Sequence, residues 1–380
     1  MKKILSFLVI FGLLVFVCFG AVTQVKPEYQ NQIQYQNVLW NDPGAVSRDL
    51  YKMKIQFTGY NKTETLTNFP ALVVFTNGMS SGTFQYSQFA STNGWDLWFA
   101  NESGTELNYE IEQWGTNTNS YVWVQVPTFT NNCYIWAYWG DTNRTTQQAY
   151  TTNGATWSNG FAGVWHMKEA TGATVMNSTA TTGINGSPVN SPTQTAGKID
   201  GALEFNGVNT DVGGSRVVFD TGLSMGSGSF TMAAWINRDS VTGSRGIIGT
   251  KSVGGAGFFV NENAGVQKLV LGRKNATDTL SPELTITAGT WYHAAVVMNR
   301  TAASVTFYLN GVASAATSYD ANAFTDVTDR IGSHGNGEMF DGKIDDASIS
   351  TVVRSSNWVW ACYMNQASNT NFTAYTVFID

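Results

Sequence analysis

The sequence predicts an all-β protein, an N-terminal β-sandwich followed by a larger two-sheet jelly roll. Three observations carry this. Short runs alternate apolar and polar residues at period two, from about residue 47 to 353. Charged residues are only 13% of the chain, about half the usual share, while 38 glycines and many Asn, Thr and Ser punctuate it. Asn310-Gly311 follows the run VTFYL and is a strong hairpin-turn signal. Hydrophobic residues reach 43%, enough for packed cores.

Residues 1–20 begin with Lys2 and Lys3 and continue in an apolar run from Ile4 to Phe19. This reads as a secretory signal peptide; an uncleaved anchor is the alternative. Without the two lysines, 19 basic residues face 27 acidic ones, a net charge of −8. No basic patch is present, so nucleic acid is not an expected partner. No later stretch is apolar enough to span a membrane. Export permits a disulfide between Cys133 and Cys362; the alternative is two small buried hydrophobes. Three histidines and no Cys/His cluster make a zinc site unexpected.

Residues 21–46 are a polar lead-in. The first sandwich is expected over 47–145. In YKMKIQFTG, Met53, Ile55 and Phe57 alternate with Lys52, Lys54 and Gln56. YVWVQVP and CYIWAYWG each set a Val/Ile face against an aromatic one. Tyr121, Trp123, Tyr134, Trp136 and Tyr138 are therefore either an exposed aromatic platform or a face buried against the second domain. Residues 146–160 read as a linker, 161–353 as the jelly roll with eleven strand-like runs, and 354–380 as a tail with one or two helical turns.

The runs GVWHMKE (163–169), GKIDGALEFNG (197–207), SFTMAAWINR (229–238), TWYHAAVVMNR (290–300), VTFYLNG (305–311) and GKIDDASIS (342–350) occur in an order that resembles LamG-like domains. These are two-sheet concanavalin A-like jelly rolls of the lectin/glucanase type. The first half, through GWDLWFANESGTELNYEIEQW, VWVQVP and YIWAYWGD, resembles DUF2341, a module of unknown function. The resemblance implies a fold that hosts both lectins and glycosidases, so function has to be read from the site.

Glucanases of this fold carry Glu-x-Asp-x-x-Glu on one strand. YEIEQW offers Glu110 and Glu112 on one face but no third acid. In GKIDDASIS, strand alternation puts Asp345 with Ala347 and Ile349, and Asp346 on the opposite face with Ile344 and Ser348. One strand would then not present both acids to a substrate, and no catalytic residue is expected. A buried Asp345 needs donors or a cation. Either it caps backbone amides of a neighbouring turn, or it ligates calcium, as the resemblance implies, with Glu204, Asn206, Asn209 and Asp211. Asn206 stands where the family more often has Asp.

Trp165, Trp235 and Trp291 read as packing residues, and His166 and His293 as framework histidines. His334, Asn336 and Glu338 lie in a polar, Gly-rich loop at the end of the sandwich and are the expected ligand-binding set. The function expected is a secreted or cell-surface, non-catalytic binding or adhesion protein. Its partners would be polysaccharide or glycoprotein glycans, with calcium as the cofactor. A structural unit of a surface layer or appendage is the alternative, and a glycoside hydrolase the least favoured. The oligomeric state is left open.

Overall fold

The computed structural model describes residues 51–379 except 82, 251–253, 264, 274–277, 320–322 and 336. The expected signal peptide, the lead-in segment and Asn336 lie outside the described residues.

Four antiparallel sheets pair into two sandwiches. The first sandwich has a three-stranded sheet, Leu66–Phe75, Ser120–Phe129 and Tyr109–Gln113. Its other sheet is four-stranded. There Ala374–Ile379 pairs with Tyr51–Gln56, which pairs with Tyr134–Trp139, which pairs with Trp98–Ala100. The alternation in the sequence sets the faces. Met53, Ile55, Val122, Val124, Ile135 and Ala137 are fully buried between the sheets.

The second sandwich is the jelly roll. Its nine-stranded sheet runs through Ser304–Leu309, Trp291–Asn299, Phe230–Arg238, Asp341–Ser350 and Gly201–Asn206, with Phe161–Trp165 pairing Asp341–Ser350. Its seven-stranded sheet centres on Arg245–Gly249 and Val327–Ile331. Leu203, Phe258, Val296, Ile331 and Ile344 pack between them. Asn310 and Gly311 both take positive φ, 51° and 73°, which is what a tight two-residue hairpin demands. Trp165 and Trp235 are buried, as packing residues should be, while Trp291 is half-buried.

The tail closes the first sandwich. Helix Ser356–Ala367 sends Trp358 and Ala361 into the N-terminal core, and Ala374–Ile379 completes the four-stranded sheet. Asp49–Asp380 accordingly behaves as one compact unit. Between the two sandwiches lies a third apolar cluster of Leu72, Trp123, Trp157, Val164 and Ile199. Cys133 and Cys362 are free thiols; Cys133 is buried and Cys362 half-buried. Burial holds their pKa values up, to about 11 and about 12.

Candidate functional site: an acidic junction between the sandwiches

The junction is built by strand Asp341–Ser350. Ile344, Ala347 and Ile349 all belong to the jelly-roll core. Strict alternation would not allow both Ile344 and Ala347 on one face. A bulge reconciles them: Asp346 has φ of 45°, and the register against Phe230–Arg238 shifts between Ala233 and Trp235. The expectation that Asp345 and Asp346 face opposite ways is thereby corrected. Both turn away from the core, towards the N-terminal sandwich.

Asp345 is fully buried, and its Oδ2 accepts from the backbone N–H groups of Lys198 and Ile199 at 2.7 and 2.9 Å. It caps the turn before Gly201–Asn206, the first of its two sequence readings. Burial, then the charges of Asp346 and Glu112, push its carboxyl well above the usual range.

Asp346 Oδ1 lies 2.7 Å from His166 Nδ1. His166 directly follows strand Phe161–Trp165 and turns outward, with its ring stacked on Trp123 at 5.9 Å. From the other sandwich, Glu112 brings Oε2 to 3.3 Å from the same nitrogen. Glu110, on the same strand, places Oε1 at 3.7 Å from His166 Nε2. Ser178 Oγ donates to Glu110 Oε1 at 2.7 Å, the Trp157 indole N–H donates to Oε2, and the Trp123 indole donates to Glu112 Oε2 at 2.6 Å.

The electrostatics are lopsided. Burial opposes a charge on His166, but Glu112, Asp346 and Glu110 outweigh it and hold the imidazole protonated well above its ordinary value. Burial pushes Glu112 up to about 8, with His166 opposing and Asp346 reinforcing. For Glu110, burial is outweighed by His166, Trp157 and Ser178, and its pKa is lowered. Among the described residues, Glu112, His166 and Asp346 form the one group whose acidic and imidazole donor atoms approach closely enough, within 4.8 Å, to hold a metal ion.

The sequence-predicted sites are placed elsewhere. Asn206 holds its own loop, accepting from Val208 and Ser215 N–H and donating to the Gly213 carbonyl. Asn209 accepts from Met339 N–H, and Asp211 faces Arg216 at 3.2 Å. Glu204 lies 4.0 Å from Lys343. Each of these four, like Asp345, is thus engaged by a protein group. His334, expected in an exposed loop, is instead 6% exposed. Its ring stacks on Phe259 at 4.6 Å and against Gly257, where an added Cβ would come within 1.9 Å of it. His334 Nδ1 lies 2.9 Å from Glu338 Oε2, and Glu338 remains part-exposed.

The five aromatics are divided. Trp123 is buried at the junction against Trp157, and Tyr121 packs part-buried against the same cluster. Tyr134, Trp136 and Tyr138 lie half-exposed on the outer face of the four-stranded sheet. Trp98 stacks on Tyr138 at 4.3 Å, Phe378 meets Trp136 at 5.6 Å, and Lys54 lies over Tyr134 at 4.1 Å.

The acidic junction was not found in the sequence, although Glu110, Glu112, His166, Asp345 and Asp346 were each noticed there. They come from three segments, and nothing in their spacing says that the segments meet. The sharpest local signal was the Asp345-Asp346 pair within a strand of a two-sheet fold, since at least one of the two carboxylates has to be buried there and needs partners.

Comparison with known proteins agrees with this architecture. Residues 211–359 match the family model of the concanavalin A-like lectin/glucanases superfamily, and residues 93–166 match the domain of unknown function DUF2341. Families of this kind are typically non-catalytic modules. No curated protein matches the chain. Among solved structures, domain 4 of AbnA, an extracellular arabinanase from Geobacillus stearothermophilus in complex with arabinotriose, is 17% identical. It covers 53% of this chain and 96% of its own, with a TM-score of 0.40. A heptameric SAP-like pentraxin from Limulus polyphemus is 17% identical, over 38% of this chain and 72% of its own, with a TM-score of 0.32. A Trypanosoma rangeli sialidase is 14% identical, over 67% of this chain and 42% of its own, with a TM-score of 0.42. Likenesses at this level place no ligand on the chain. No helix among the described residues is long and apolar enough to cross a membrane.

Proposed function

We propose, from the premise that the chain carries a DUF2341 domain followed by a LamG-like jelly-roll domain, that it is a non-catalytic binding protein, secreted or held at the cell surface, which recognises glycans. The observation that supports this is the outer aromatic face of the N-terminal sandwich. Trp136, Tyr134 and Tyr138 line up along one strand with Lys54 and Gln56 beside them on the next. Sugar rings offer C–H faces to aromatic side chains and hydroxyls to amides and charges, and a row of half-exposed rings with an amide and a charge beside it suits an extended polysaccharide. The buried acids at the junction support the non-catalytic part. Glu112 and Asp345 are closed from solvent, and glycoside hydrolysis needs its carboxylates in contact with substrate.

The test is a glycan-array screen of the whole chain, run once with calcium and once with EDTA. Selective binding that falls about tenfold in Trp136→Ala supports the reading and places the sugar on this face. Binding lost in Glu338→Gln but kept in Trp136→Ala moves the site to the loop of His334 and Glu338. Loss in EDTA that calcium, added back to the stripped chain, restores adds calcium dependence. Silence of a folded sample in both conditions overturns glycan recognition in favour of a structural surface unit.

A further inference from the structure

We propose that Glu112, His166 and Asp346 form a binding site for a divalent transition-metal ion of the zinc or manganese class, which ties the N-terminal sandwich to the jelly roll. The inference is independent of the glycan reading.

Three segments far apart in sequence deliver donors to one point. Glu112 comes from strand Tyr109–Gln113, His166 from the residue after Phe161–Trp165, and Asp346 from the bulge in Asp341–Ser350. The separation of His166 Nδ1 and Glu112 Oε2, 3.3 Å, is close to the roughly 3.4 Å expected between neighbouring ligands of a tetrahedral ion with ordinary zinc bond lengths, while His166 Nδ1 and Asp346 Oδ1, 2.7 Å apart, share a hydrogen bond that the ion would replace, moving the two atoms apart as the proton leaves.

Unpartnered atoms point the same way. Glu112 is 3% exposed, yet its Oε1 has no hydrogen-bond partner; Asp346 Oδ2 and Asp345 Oδ1 also have none. Buried carboxylate oxygens left bare are costly and rare. The charge balance is equally uneven. Four carboxylates, Glu110, Glu112, Asp345 and Asp346, gather around one imidazole. A divalent ion would offset half of that negative charge.

The donor types select the ion. Calcium takes oxygens only, whereas an imidazole nitrogen with two carboxylates suits a borderline transition ion. The surroundings are ordered as such a site requires. Glu110 stands at His166 Nε2 and leaves Nδ1 as the metal-facing nitrogen, and Glu110 and Glu112 are themselves fixed by Trp157, Ser178 and Trp123. A cavity of about 50 Å³ lined by Asp346, Ser348 and Cys362 has room for a water beside that carboxylate.

The experiment uses the full chain, stripped with EDTA and titrated separately with zinc, manganese and calcium chlorides, with uptake followed by calorimetry and the melting temperature recorded. The expected result is uptake of about one zinc or manganese ion per chain and a melting temperature that these ions raise and calcium does not. Glu112→Gln and Asp346→Asn should abolish uptake. Glu110→Gln, which leaves all three donors in place, should weaken it by about 10–100-fold. A folded, stripped chain that takes up neither transition ion overturns the proposal, as does uptake unchanged in Glu112→Gln and Asp346→Asn. Should those variants fail to fold, X-ray absorption of the zinc-loaded wild type decides. A mixed nitrogen and oxygen shell supports the site, and an all-oxygen or sulfur-containing shell overturns it.

Discussion

Asp346 holds a left-handed backbone angle inside a ten-residue strand. That one residue turns a pair of acids from opposite faces to a common one. The conformation is strained for a side chain of this kind, and Asp is among the residues that tolerate it best. Asp345, its neighbour, gains a definite structural task from the bulge. Asp345→Ala would leave the buried amide of Ile199 and the half-buried amide of Lys198 without their acceptor, and should destabilise the protein by about 2–3 kcal/mol. Asp345→Asn keeps an acceptor oxygen and should lose less than half of that; urea unfolding of the two variants makes the comparison. His293 permits a prediction in pH. It is 4% exposed with its ring edge-on to Trp235, and burial lowers its pKa from 6.5 to about 4. The folded value lies below the unfolded one, so the unfolded chain binds this proton first as pH falls. The stability held at pH 7 is therefore lost progressively from about 6.5 down to 4, by up to about 3 kcal/mol. His293→Leu should flatten the stability profile in that window relative to wild type. A wild-type-minus-variant difference that does not change with pH would contradict the assignment.

At the scale of elements, the strands were legible because period-two alternation is written directly into runs such as YKMKIQFTG, where the buried Met53 and Ile55 alternate with Lys52, Lys54 and Gln56. The helix Ser356–Ala367 was only partly legible. Its apolar residues do not form one stripe, because it is a bridge between three surroundings. Trp358 faces the N-terminal core, Val359 packs with Tyr308 of the jelly roll, and Asn365 serves a strand edge. Leu66–Phe75 is an edge strand, and its outward backbone groups need partners. Asn365 supplies them by accepting from Leu72 N–H at 2.6 Å and donating to Leu72 O at 3.0 Å, while the Tyr375 hydroxyl accepts from Val74 N–H. No periodicity rule announces a buried Asn that imitates a strand. Asn365→Ala should cost about 2 kcal/mol, since it leaves the buried Leu72 N–H without its acceptor, while the Leu72 carbonyl keeps the Asn369 amide at 2.8 Å. Ser355→Ala, which removes the helix cap on Trp358 N–H at 3.1 Å, should cost about 1 kcal/mol. Thermal denaturation that ranks these two in the reverse order would show that the edge is satisfied by water.

For the whole molecule, what the sequence withheld is what lies far apart in it. The order of the strands could be read locally, but the acids at 110–112, the imidazole at 166 and the acids at 345–346 share a site only because the two sandwiches close on each other. The same closure makes the chain cooperative. The strand Ala374–Ile379 pairs along all six residues of Tyr51–Gln56, so the last segment of the chain completes the first sandwich. Phe372 is fully buried there, stacked with Phe129 at 6.2 Å, and Arg354 lies over Trp358 at 4.0 Å and Phe161 at 4.6 Å, joining helix to junction. A chain ending at Arg354 would keep every strand of the jelly roll. It would lose one strand of the four-stranded sheet, the aromatic plugs Trp358 and Phe372, and the cover on the edge of Leu66–Phe75. The N-terminal half of such a chain should not fold, because edge pairing and core are removed together. The full chain should melt in a single calorimetric transition. The truncated chain should show a smaller transition from the jelly roll alone, with rapid hydrogen exchange across residues 51–139. Persistent protection of those residues in the truncated chain would mean that the first sandwich stands without its final strand.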